Sequence, residues 1–400
     1  MKHLSVNLKK QKTLKLPVLT VFLFSILQVF AQDQQLSGQA QISVLTIEPG
    51  LNLYDAFGHN AYRIKDDNLD VVFNYGVYDF DTPNFYTKFA QGKLNYKLAA
   101  NYFEDSKNYY IRQNRTIKEQ VLNLTQDQKQ KIYDYLLVNY EPENQYYLYD
   151  FFYDNCATKI RDVLVKSLDE EIVFNTPKNF EPKTFRTLIQ EKLKWNSWGS
   201  LGIDLALGSV IDKKASPEEH MFLPDYIHSF FGAATFKNGK KLVKNDSVIY
   251  TKMAVKQKSN FLTSPVFAFS ILAFSILLIT FRDYKNTRQT KWLDVVLFIT
   301  TGVIGIVILL LWFATDHSAT AFNYNLLWAF ALNIVMFPQI LEAVPKKWFV
   351  RYLKFLVILL ALMALHWLVG IQSFALALTP FMLALFIRYI YLINHYKTHF

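Results

Sequence analysis

One cysteine, thirteen glycines and twelve prolines in 400 residues leave several chemistries with nothing to work with. A lone Cys156 admits no disulfide within the chain and no Cys-x-x-Cys motif for redox or zinc. His-Glu-x-x-His is missing, and no glycine-rich loop precedes a helix to cradle a phosphate. The nearest thing to a Gly-x-Ser-x-Gly elbow, "WGSLG" at 198–202, has the wrong spacing. His220 and His228 lie eight residues apart and do not share a helix face as metal ligands would. No metal and no cofactor are therefore expected.

Acidic residues are missing from residues 1–31, where Lys2, Lys9, Lys10, Lys12 and Lys15 accompany the apolar run "LPVLTVFLFSILQVFA". A basic front, an apolar stretch and the small Ala31 before polar "QDQQ" predict a signal peptide over 1–31, with an uncleaved anchor as the alternative. Either reading exports the segment that begins at Gln32. Apolar sequence is plentiful after Ser264. Five stretches, about 264–281, 292–314, 322–341, 349–370 and 372–393, each approach the roughly 20 residues that cross a bilayer. A five-helix transmembrane bundle is expected over 264–400.

The connections alternate in charge. Those at 282–291 and 345–354 are basic and the tail holds Arg388 and Lys397, whereas 315–321 and 370–373 carry no Lys or Arg. Positive residues stay inside, so the basic connections and the C-terminus belong in the cytoplasm and the N-terminal segment in the periplasm, across the inner membrane. The formal charge of +10 has this origin, because residues 32–264 hold 28 Lys+Arg against 29 Asp+Glu. The excess is topogenic and gives no reason to expect nucleic acid as a partner. Lys237, Lys240, Lys241, Lys244, Lys252, Lys256 and Lys258 make 232–263 a basic juxtamembrane linker, solvated or resting on anionic headgroups.

Residues 32–231 are long enough to bury a core of their own and read as an α+β domain. "QISVLTIEPG" (41–50) is a strand closed by a Pro-Gly turn. "AFGHNAYRI" (56–64) and "DVVFNYGVYDF" (70–80) alternate around "KDDN" as a β-hairpin. Thr125 caps an amphipathic helix over 124–140, and helices are expected again at 184–195 and 217–231.

The single thiol falls in "FFYDNCATKIRD" (151–162). Ile160, Val163, Leu164 and Leu168 share one helix side, and Asp154 or Asn155 suits the N-cap. Cys156 then sits in the first turn, where free N–H groups and the helix dipole favour a thiolate nucleophile. A small buried apolar residue is the plain alternative. Against it stand the oxidising compartment, where an idle thiol is a liability, and the polar neighbours Asp154, Asn155, Thr158 and Lys159. Of the histidines that stay outside, His59 is the best placed base, on a strand after Gly58. Asn74, on the paired strand, is the residue expected to orient its ring.

"FGHNAYRI", "VVFNYGVYDF", "YDFFYDNCATKIRD", residues 197–227 and "DHSATAFNYNLLWAF" (316–330) resemble the Lnb-type lipoprotein N-acyltransferases over most of the chain. The order of histidine before cysteine is also similar to the permuted papain-like fold of lecithin retinol acyltransferase and NlpC-type amidases. The resemblance implies a periplasmic domain of that fold, with Cys156 as nucleophile and His59 as base. It implies transfer of an acyl chain from a phospholipid, through a Cys156 thioester, to the N-terminal amine of diacylglyceryl-modified lipoproteins. Asp154 and Asn155, beside the sulfur, join the substrate-binding set. At the outer membrane boundary, His317, Asn325 and Trp328 are either interfacial anchors or contacts to the lipid headgroup or the lipidated cysteine. Two other readings stay open: a membrane-tethered NlpC-like cysteine amidase or peptidase acting on peptidoglycan or peptides, and a silent scaffold with a buried Cys156.

Overall fold

The computed structural model describes residues 35–168, 171–254 and 260–398, so the expected signal peptide lies outside the described residues, as do Lys256 and Lys258. Its exported half is built on a seven-stranded antiparallel sheet. The strands are β1 (Gln41–Ile47), β2 (His59–Asp66), β3 (Leu69–Val77), β4 (Asn95–Tyr102), β5 (Ile117–Leu122), β6 (Tyr146–Leu148) and β9 (Val243–Tyr250), in the order β6-β4-β3-β2-β1-β5-β9. A small ribbon pairs β7 (Ile172–Val173) with β8 (Thr235–Phe236).

Alternation explains the layers, because successive strand residues face opposite sides. Ile42, Val44, Tyr62, Ile64, Phe73 and Tyr75 pack against helices Gln126–Tyr140, Cys156–Ser167 and Pro224–Ala233. Leu45, Ile47, Ala61 and Val72 face the other way, onto Phe103 at the start of helix Phe103–Arg112. The sheet is thus covered on both sides, and the hairpin and the Thr125-capped helix lie where their patterns place them.

Two expectations change. Residues 243–250, inside the expected linker, form β9 on the sheet edge beside β5. Their lysine-rich, polar character suits an edge strand, where charge discourages further pairing. Among the described residues, four helices are long and apolar enough to cross a bilayer: Pro265–Lys285, Lys291–Phe313, Lys347–Leu368 and Leu376–Lys397. The expected span at 322–341 is broken into the short pieces Tyr324–Leu327, Asn333–Met336 and Pro338–Leu341. Asn323, Asn325, Asn333 and Pro338 interrupt it. Irregular backbone at membrane depth needs protein partners, and the second membrane helix provides them. A Cβ on Gly305 would lie 2.1 Å from the Ala329 carbonyl, and one on Gly302 2.5 Å from the Ile334 nitrogen. Asn333 Nδ2 donates to Thr301 Oγ1 at 2.8 Å, and the Tyr352 hydroxyl donates to Asn333 Oδ1.

Arg388, counted from sequence among the cytoplasmic charges, is instead fully buried. It joins three membrane helices by pairing with Asp294 at 2.6 Å and Asp283 at 2.9 Å.

The two halves are fastened by hydrogen bonds. Gly208 N–H donates to the Ala319 carbonyl at 2.9 Å, and Asn323 Nδ2 to the Leu205 carbonyl at 2.8 Å. At Gly208 a Cβ would stand 1.8 Å from the Ala321 carbonyl oxygen, so the chains touch there only because that side chain is absent. Arg186 reinforces the joint by holding Asp204, Asp212 and the Gly208 carbonyl, and Asp212 accepts from the Ser373 N–H.

Candidate active site

Cys156 opens its helix. Asn155 is the cap: its Oδ1 accepts from the N–H groups of Ala157 at 2.8 Å and Thr158 at 2.9 Å. Its own N–H donates to Thr158 Oγ1, and its Nδ2 to the carbonyls of Phe151 and Phe222. Every polar atom of this buried side chain is engaged in fixing the helix start, which leaves none for a substrate. Asp154 pairs with Lys159 at 2.6 Å, and the Lys159 ammonium lies 4.3 Å over the Tyr147 ring.

The sheet meets this helix start through a deformation of β3. The pairing of β3 with β4 shifts between Asn74 and Val77, and Gly76 takes φ of +87°. A Cβ there would lie 3.6 Å from the Cys156 Cβ and 3.6 Å from the Tyr149 ring. Glycine permits both the left-handed backbone and the close approach. Just before β2, Gly58 at φ +85° runs against the Ile47 carbonyl.

His59 and Cys156 are both half-buried. The N–H groups of Asn60, Cys156 and Ala157 reach the sulfur, and the positive Arg115 favours its anion. Burial outweighs them and pushes the thiol above its ordinary value. This reverses the expectation of a resting thiolate: a helix dipole acts in the intended sense, but desolvation is stronger here. Burial also brings the imidazole down to about 4, with Arg115 lowering it and the Asn74 hydrogen bond opposing. At neutral pH the resting pair is a thiol and an uncharged imidazole.

His59 Nε2 lies 3.2 Å from Asn74 Oδ1. An amide oxygen only accepts, so Nε2 carries the proton and Nδ1 is left as the acceptor. The structure therefore brings His59 and Asn74 together, and brings the Asn60 amide next to His59 onto the sulfur. It adds two neighbours that composition and spacing did not reveal. Arg115 acts on both His59 and Cys156, and Tyr110 lies beside them, its ring 6.3 Å from that of His59 and 5.3 Å from the Arg115 guanidinium carbon. The one legible sign was the glycine inside the "FNYGV" strand, which marks a bulge. Among the described residues no group of three His, Cys, Asp or Glu is placed to hold a metal ion.

The expected boundary residues lie in the joint between the two halves. His317 Nε2 lies 3.0 Å from the Phe89 carbonyl, Asn325 is buried with Nδ2 on the Asp204 carbonyl at 3.0 Å, and Trp328 Nε1 donates to Asn325 Oδ1 at 2.9 Å. Asn325 and Trp328 hold protein to protein, so neither presents a free polar group to a lipid.

A mixed α/β sheet domain joined by hydrogen bonds to long apolar helices defines a membrane protein of the α+β class. The particular family emerges from comparison with known ones. Residues 30–191 match the Lnb N-terminal periplasmic domain and residues 256–399 the Lnb transmembrane domain. The chain belongs to the Lnb family, which places it among membrane enzymes of lipoprotein maturation with a periplasmic N-terminal domain. Comparison with curated proteins and with solved structures found no match.

Proposed function

We propose that the chain is a lipoprotein N-acyltransferase of the inner membrane, its C-terminus cytoplasmic, with Cys156 as acyl carrier in a permuted papain-like arrangement. The observation that carries this reading is the sulfur itself, reached by three amide N–H groups, one of them that of Asn60, the residue after the neutral, Asn74-oriented His59. His59 Nδ1 takes the thiol proton as the sulfur attacks the ester carbonyl of a phospholipid. The C–O bond breaks, the proton passes to the departing lysophospholipid oxygen, and the acyl chain remains as a thioester. The amine of a diacylglyceryl-modified lipoprotein then attacks the thioester carbon, giving its proton to His59. The C–S bond breaks, the sulfur recovers that proton, and an amide is left. Amides of Asn60, Cys156 and Ala157 favour negative charge beside the carbon under attack in both steps. The low imidazole value suits the second step, which needs an uncharged base. Two lipid-anchored substrates also account for a domain bolted to a bundle, where a plain tether needs one helix.

Incubation of the full-length protein with phospholipid vesicles, then mass spectrometry of the Cys156 peptide, tests the reading. An acyl thioester that hydroxylamine removes and that Cys156→Ser cannot form is expected. An unmodified sulfur together with cleavage of a muropeptide would replace acyl transfer by an amidase.

A further inference from the structure

Beside the bulge that touches Cys156 lies a cavity of about 280 Å³ lined by three lysines. Its floor is the strand row Val77, Lys97 and Tyr146, paired across β3, β4 and β6. Val77 comes directly after Gly76, whose backbone packs on Cys156. Lys88, from helix Phe85–Ala90, and Lys93, from the turn after it, form the wall. None of Lys88, Lys93 and Lys97 makes an ion pair among the described residues. Asp79 is the single acid in the lining, and one of its oxygens accepts from the Asp81 N–H at 2.9 Å.

The cavity stands at headgroup depth. Between Lys88 and Lys93, the Phe89 carbonyl meets His317 Nε2 and the Gln91 carbonyl accepts from the Asp316 N–H at 2.8 Å. Asp316 comes three residues after Phe313, where the second membrane helix ends. Phe80, Tyr86 and Phe89 stand 66%, 80% and 53% exposed around Phe85, as aromatic side chains do where protein meets the lipid interface.

We propose that Lys88, Lys93 and Lys97 bind the phosphodiester of a net-anionic phospholipid headgroup, and that this lipid is the acyl donor of the reaction proposed above. Converging ammonium groups at a membrane surface attract anionic lipid. They repel the second, positive end of a zwitterionic headgroup. Thr82 and Asn95 add neutral polar groups to the same lining, suited to the hydroxyls of an alcohol such as glycerol. The assignment of this lipid as donor rests on the acyl-transfer reading, whereas the binding itself does not.

The test is equilibrium binding of soluble dihexanoyl-phosphatidylglycerol and dihexanoyl-phosphatidylethanolamine to the full-length Cys156→Ala protein in detergent. Selective binding of the anionic lipid is expected, weakened about tenfold or more by combined Lys88→Ala, Lys93→Ala and Lys97→Ala. Combined Lys→Arg changes at the three positions should restore it if the alanine protein melts at the unchanged temperature. Equal binding of the two lipids, or an anionic affinity the alanine changes do not alter, overturns the proposal. Inorganic phosphate displacing the lipid at equal concentration overturns it as well, since the site then takes a free anion. The readout needs no sulfur: selective binding without a thioester in the unaltered protein would refute acyl transfer alone.

Discussion

At the residue scale, the sulfur is governed by the contest between dehydration and directed dipoles. Because burial raises the Cys156 thiol, its thiolate fraction at pH 7 falls below that of an ordinary cysteine. Iodoacetamide, which reacts with the thiolate, should therefore label Cys156 slowly at neutral pH, with a rate still climbing above pH 9. A fast rate that stays level between pH 5 and 7 would instead reveal a resting thiolate–imidazolium pair. The position of the sulfur was readable beforehand, since Asn155 and the apolar spacing beyond it define a helix start. Its charge was not, because burial depends on tertiary packing, in which Tyr147, Tyr149 and Tyr110 come near the sulfur from two other segments of the chain.

Elements carry the next level of control. The Cys156 helix starts where it does because Asn155 alone satisfies two helix N–H groups and two carbonyls from other turns. Replacing it by alanine removes the cap and strands the Phe151 and Phe222 carbonyls. Thermal or denaturant unfolding of the Asn155→Ala protein should show a loss of about 1–3 kcal/mol. An unchanged midpoint would mean that the helix start is held by packing alone. The hairpin that pairs His59 with Asn74 was legible, because alternation fixes which side chains share a face. β9 was not, since a polar edge strand and a solvated linker have the same composition. The breaks within 322–341 were not legible, because hydropathy averages over its asparagines. The segment still follows the neighbouring helix from end to end: Ala329 and Ile334 lie against Gly305 and Gly302, and the Lys291 ammonium reaches the Leu341 and Glu342 carbonyls.

For the whole molecule, the bundle is tied at one end by Arg388, Asp283 and Asp294, all without solvent exposure. Arg388→Met leaves two buried carboxylates without their cation, at about 3–5 kcal/mol. The full-length protein should then melt earlier in detergent, and restoring neutrality with Asp283→Asn and Asp294→Asn should recover much of the loss. Equal melting of single and triple variants would show that the charges are not coupled. The burial and pairing of Arg388 were not legible, because counting charges cannot distinguish a free arginine from a paired one.

The missing side chain at Gly208 reaches further than its own contact. Backbones pressed that closely allow no swivel, so the domain's height above the lipid is set once, at folding. A reactive site at fixed altitude works as a gauge of stand-off: it meets groups tethered at the matching level and ignores the same groups drifting free in the surrounding water.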